Sequence, residues 1–205
     1  NDLLQGEKGE VSVWQLHRRY VLAPVKSGMI AIDQQLAHQR IIYEQVMSCF
    51  SATPGSGQRL LFPLTVDLGL GDVELVRRAI PFLERMGFGI RDFGGNTVVI
   101  DAIPQDMTDW QDGQLFREIV GDLSETEKAS GETPSDDESR SPLEHTLAAS
   151  YARHTAVGHD VSLSTREMQA LIDQLFGTRE PFVSPAGRPT VARISLDEID
   201  RRFGR

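Results

Sequence analysis

The sequence has very little cysteine. A single residue, Cys49, stands in 205, so no internal disulfide is available and the fold must rest on burial. One thiol among five scattered histidines offers no zinc spacing either, and Cys49 reads as a small buried hydrophobe. No stretch approaches the roughly 20 apolar residues that cross a bilayer, and no basic-then-apolar leader opens the chain. The expectation is a soluble, cytoplasmic protein with no membrane partner. Basic residues are in deficit, 21 Lys and Arg against 30 Asp and Glu, giving a net charge of -9 and a pI near 5.0. That field repels phosphate, which excludes tight autonomous DNA binding and leaves weak or assisted DNA contact. The chain also begins at Asn1 without a methionine, so it reads as a fragment whose parent holds further activities.

What is present is a globular pattern, 40% hydrophobic. Residues 14–25 and 29–32 are rich in Val, Ile, Leu and Tyr around a Ser27-Gly28 turn, predicting a strand pair. Over residues 34–50 the apolar positions Leu36, Tyr43, Val46, Met47 and Phe50 return at helical spacing. A Ser/Pro/Gly stretch, 51–57, follows as a subdomain linker. Next come a strand at 58–66, an amphipathic helix at 72–86 stopped by Gly87, a hairpin at 89–93 and 97–100, and a helix at 109–123. Residues 124–141 are crowded with Glu, Asp, Ser, Thr and Gly and read as a disordered linker, unable to offset their ordering entropy. A helix at 142–157, a second one capped by Ser164 with Glu167 in a capping box, a strand at 189–194 and a helix at 196–203 complete the chain.

This organisation predicts an α+β fold of two subdomains. Residues 1–56 and 142–205 would form an outer subdomain from both chain ends, and 57–123 an inserted βαββα block, with 124–141 as the acidic linker.

Residues 32–44 read IDQQLAHQRIIYE and the tail reads SPAGRPTVARISLDEIDRRFGR. The first is similar to the DQHA-x-x-E-x-x-x-x-E motif of MutL C-terminal domains, and the second resembles their closing CPHGRP strand and helix. HTAVGHDVSLSTREMQALIDQL between them resembles the stretch after the family's Ala-Cys-Arg motif. The resemblance covers most of the chain, the middle block matching in pattern more than in residues. It implies an outer dimerisation subdomain, an inserted regulatory subdomain and a role in DNA mismatch repair beside the nucleoid. It also implies a metal-dependent nuclease site, holding zinc or manganese on Asp, His and Glu of the first motif, Cys of the second, and Cys and His of the third.

Carried over residue by residue, that ligand set is degenerate. Asp33 and Glu44 match the first motif, but Gln35 replaces its His and Gln39 its first Glu. Tyr151 stands near the second motif's Cys, while Ser184 and Ala186 replace the Cys and His of CPHGRP. Neutral amides are weak ligands beside imidazole, thiolate or carboxylate. The expectation is a domain without cofactor or nuclease activity. The rival reading is a zinc- or manganese-dependent nicking endonuclease that uses Asp33 and Glu44 with a borrowed His38 or His154.

The resemblance further marks Gln58, Leu60, Leu61, Phe62 and Pro63 as a sliding-clamp docking motif, with apolar side chains for the clamp's pocket and Gln58 to orient them. The bland alternative is an ordinary first strand. Dimerisation is expected through Tyr20, Leu22, Val25, Ile30 and Ile32. The implied partners are a second copy, the replicative sliding clamp, and mismatch-recognition and downstream repair proteins. Asp67-Leu-Gly-Leu-Gly71 echoes a nucleotide-binding turn without its partner motifs. Ser184 has three histidines as conceivable partners, His145, His154 and His159, but no nucleophile elbow. Arg18, Arg19, Arg188, Arg193, Arg201, Arg202 and Arg205 are candidates for a basic strip, or simply solvated faces.

Overall fold

The computed structural model describes residues 12–51, 54–105, 107, 110, 113–130 and 142–205. Among these the chain is α+β with two sheets and six helices: β1 (Trp14–Leu16), β2 (Tyr20–Val25), β3 (Gly28–Asp33), α1 (Gln34–Ser51), β4 (Gly57–Asp67), α2 (Leu70–Met86), β5 (Gly89–Gly94), β6 (Thr97–Pro104), α3 (Gln114–Ser130), α4 (Pro142–Thr155), α5 (Thr165–Gly177), β7 (Val191–Ser195) and α6 (Leu196–Arg202). No helix among them is long and apolar enough to cross a membrane. The contacts divide the chain into one unit of Asn1–Ile42 with Ala156–Arg205 and another of Tyr43–Thr155.

In the first unit an antiparallel sheet runs in the order β1-β2-β3-β7. Strand side chains alternate between faces, and Val21, Ala23, Ile30 and Ile32 share one face. They form a core with Ala37 and Ile41 of α1 and Met168, Leu171, Ile172 and Leu175 of α5. The expected capping box is present: the Ser164 side chain accepts from the Glu167 backbone and the Glu167 carboxylate accepts in return. That pairing holds the Glu167 carboxyl below its usual range.

The long first strand anticipated at 14–25 is broken. His17 and Arg18 both take φ of 50°, the left-handed region normally left to Gly or Asn, and turn β1 back onto β2. Arg19 closes the turn by donating its N–H to the Leu16 carbonyl. At the β2–β3 turn the loop is Lys26-Ser27, and Gly28 is required where β7 approaches, because a Cβ there would lie 2.1 Å from the Ile194 carbonyl oxygen.

The second unit holds a sheet in the order β4-β6-β5 with α2, α3 and α4. Val66, Val98, Ile100, Val76, Leu83, Phe88 and Phe116 are buried in it. The cut after residue 56 used above falls inside this unit. Phe50 meets Phe82 edge-on, and Arg85 donates to the Cys49 carbonyl, so the last turns of α1 pack here. The Ser/Pro/Gly stretch is likewise fastened, with Gly55 N–H on the Arg85 carbonyl and Gln105 N–H on that of Ser56. Gly87, at φ 103°, caps α2 and leaves room for that strand of backbone. α4 also packs here, Tyr151 edge-on to Phe88 and Ser150 bonded to Asp122 of α3.

One linker expectation is corrected. Residues 124–130 are helical, continuing α3. Glu, Lys and Ala are good helix formers, Lys128 lies in the last turn where the helix dipole favours a cation, and Glu127 pairs with Arg78. Residues 131–141 of the anticipated linker lie outside the described residues.

Candidate functional site

Asp33 ends β3 and precedes α1, buried, with its side chain already engaged. Its Oδ1 accepts the N–H groups of Gln35 and Leu36 at 3.1 and 3.0 Å, which is how an N-cap satisfies the orphan donors of a helix. Its Oδ2 lies 4.0 Å from Nε of Arg19. Gln35 and Gln39 follow on the first turns of α1, half-buried, and Glu44, also half-buried, comes later on the same helix. Ser184 is buried and closes a tight loop: its Oγ accepts from Arg188 N–H at 3.1 Å, and its N–H donates to the Arg188 carbonyl at 2.8 Å. Ala186 is exposed at the tip of that loop. Tyr151 is a buried ring of the second unit.

These positions do not fit a divalent ion. The first carboxylate serves as a helix cap, the two amides carry no charge, and the third motif offers a hydroxyl and a methyl in place of thiolate and imidazole. Among the described residues no group of three or more His, Cys, Asp or Glu is placed to hold a metal. The borrowed histidines are occupied as well. Nδ1 of His38 accepts the Val157 N–H at 2.9 Å, and burial lowers its pKa from 6.5, favouring the neutral ring. His154 bridges Glu118 and Asp122, each at 3.0 Å. Burial works against the Asp122 carboxylate, but hydrogen bonds from Ser150, His154 and Arg153 prevail and hold its pKa below the usual range.

Around the start of α1 lies a network that composition did not reveal. The fully buried Gln34 receives a bond from Gln15 at 2.6 Å and donates to the Gly158 carbonyl at 3.0 Å. Gln15 also reaches the Val161 carbonyl, at 2.8 Å. Asp160, a third non-glycine residue at positive φ, donates its N–H to the carbonyl of Arg18.

Two surfaces complete the inventory. On β4 the pairing with β6 runs through Arg59, breaks, and resumes at Leu64, so Leu60, Leu61, Phe62 and Pro63 leave the ladder. Leu61 is 87% and Phe62 81% exposed, while Gln58 donates to the Met107 carbonyl at 3.3 Å. The other surface is the four-stranded sheet's second face. Register places Trp14, Leu22, Ala31 and Ala192 in one row across it, flanked by Leu16 with Tyr20 and by Pro24, Met29 and Ile194. Of the five residues expected at a dimer contact, Tyr20 and Leu22 lie on this face. Ile30 and Ile32 point into the protomer's own core, with Val25 packed against it.

A family model described as the MutL C terminal dimerisation domain matches residues 13–163. The chain belongs to this MutL family. The DNA mismatch repair protein MutL of Chlorobaculum tepidum is 36% identical over 196 residues, covering 96% of this chain and 30% of that protein. MutL of Chlorobium phaeobacteroides strain DSM 266 is 35% identical over 200 residues, 97% of this chain and 30% of its own length. MutL of Chlorobium chlorochromatii is 34% identical over 207 residues, all of this chain and 30% of its own length. The chain therefore spans about 30% of the curated MutL relatives it matches.

Proposed function

We propose that this MutL-family domain joins two copies of its parent protein and recruits repair partners, without a nuclease site of its own. One observation carries the reading: the second face of the β1-β2-β3-β7 sheet is apolar and partly open, with Trp14 44% exposed beside Tyr20, Pro24, Met29 and Ala31. A contiguous apolar sheet face of this kind marks an interaction surface, and an isologous pair is the commonest way to cover one. Charge supports it. The first unit carries twelve Lys and Arg against eleven Asp and Glu, whereas the second carries nine against nineteen. Two acidic chains therefore meet through their nearly neutral units with little Coulomb opposition.

In this reading the first unit is the outer dimerisation subdomain, and the βαββα order of β4 to α3 is the regulatory one. Leu61 and Phe62, lifted out of the ladder, serve as the apolar anchors for the replicative sliding clamp, with Leu60, Pro63 and Gln58 beside them. Mismatch-recognition and downstream repair proteins are the further partners, and DNA contact is weak or assisted. No cofactor is required in the domain.

Sedimentation velocity tests the core of the proposal. A dimer is expected at micromolar concentration for the original chain and a monomer for Met29→Glu. A monomeric original chain would refute it.

A further inference from the structure

The first hairpin turn, Leu16–Arg19, is closed by Arg19 N–H on the Leu16 carbonyl, and both of its central residues, His17 and Arg18, hold φ of 50°. Asn-Gly makes a turn of that shape most easily, because the left-handed region crowds a side chain's Cβ against the following carbonyl. This chain places two larger side chains there instead, and both are exposed. The strained backbone is held from outside, by Asp160 N–H on the Arg18 carbonyl. Non-glycine residues kept in such a conformation point to a use for their side chains.

Those side chains gather positive charge. Arg19 is 45% exposed, and its guanidinium lies 5.2 Å from the centre of the Tyr20 ring, which sets its direction. Asp33, 4.0 Å from it, is already engaged as the cap of α1. Exposed Arg188 adjoins at the same end of the sheet, where Gln34 N–H donates to the Arg19 carbonyl and Asp33 N–H to the Thr190 carbonyl. Among the described residues no carboxylate pairs with Arg18 or Arg188. Three guanidinium groups against Asp33 and Asp160 leave this end with a positive excess.

We propose that the Leu16–Arg19 turn is a contact point for the phosphates of duplex DNA, with Arg18 and Arg19 as the charges, His17 as a further donor and Arg188 beside them. The inference rests on the reading above that the domain makes weak or assisted DNA contact, and it gives that contact a place. Phosphate contact needs cations on a fixed, exposed support and reads no bases. So few cations on an acidic chain support weak binding only.

Fluorescence anisotropy of a short labelled duplex of arbitrary sequence, titrated with the intact chain between about 50 and 200 mM salt, tests it. Arg18→Gln with Arg19→Gln should make the dependence of log affinity on log salt shallower by about two, one per lost phosphate contact. Arg201→Gln with Arg202→Gln removes equal charge from α6, which starts at the opposite end of the sheet where Leu196 N–H meets the Ser27 carbonyl, and should leave that slope unchanged. His17→Asn with Arg18→Gly suits the turn better, so it should raise the urea midpoint while taking about one from the slope; it decides the matter if the glutamines disturb the turn. An unchanged slope in the folded Arg18 and Arg19 variants, or an equal loss in the α6 variant, would overturn the phosphate contact at this turn alone. No binding by the original chain at about 50 mM salt would overturn it together with the reading of DNA contact beneath it.

Discussion

Asp33 is the residue at which the alternative roles of this domain diverge. A metal ligand needs its charge, whereas a helix cap needs only an acceptor oxygen at the right height. The observed bonds to the Gln35 and Leu36 N–H groups are those of a cap. Asparagine caps about as well as aspartate, and alanine in place of either costs about 1 kcal/mol. Asp33→Asn should therefore leave the urea midpoint nearly unchanged, while Asp33→Ala lowers stability by about 1 kcal/mol. His38 provides a second check. Its pKa is lowered by burial, so below pH 6.5 the unfolded chain takes up a proton that the folded chain resists. The contribution is complete above that pH and is lost as pH falls toward the folded value. Urea unfolding as a function of pH should show this loss, and His38→Gln should flatten the slope.

At the scale of elements, local chemistry was legible where one residue type dictates one geometry. Ser164 with Glu167 announced α5, Gly87 announced the end of α2, and both are as expected. Elements set by distant partners were not legible. His17 and Arg18 are not turn formers by composition, and the β1–β2 turn has support from outside itself, since Asp160 donates to the Arg18 carbonyl. The acidic end of α3 looked like a linker because charge run and helix former are the same residues there. Which face of the first sheet is covered was not legible either, because alternation alone says that two faces exist; Ile30 and Ile32 lie in the core, while Tyr20 and Leu22 share the other face. Two substitutions on neighbouring residues of β3 separate the faces. Ile30→Glu places a charge in the core and should prevent folding, whereas Met29→Glu should leave a folded monomer, read by circular dichroism and sedimentation. On β4, Phe62→Ala should barely move the melting temperature, given the ring's 81% exposure, yet abolish capture by the replicative clamp in a pull-down. Capture equal to that of the original would contradict the docking role.

For the molecule as a whole, the features fall on different units. The nearly neutral unit holds the apolar sheet face and most of the degenerate ligand positions, and the acidic unit holds the lifted β4 segment. Such a division suits a connector, in which one part joins copies and another meets partners, and each surface can change without unfolding the other's core. That Gln35, Gln39, Ser184 and Ala186 differ in type from the family's ligands was readable in the sequence. The work of Asp33, His38 and Ser184 as cap, acceptor and loop closure was not, because it appears only in three dimensions. Elemental analysis of the purified, dialysed protein tests most directly the claim that this domain joins proteins without holding an ion. The account predicts zinc and manganese far below one per chain; a stoichiometric amount of either would contradict it.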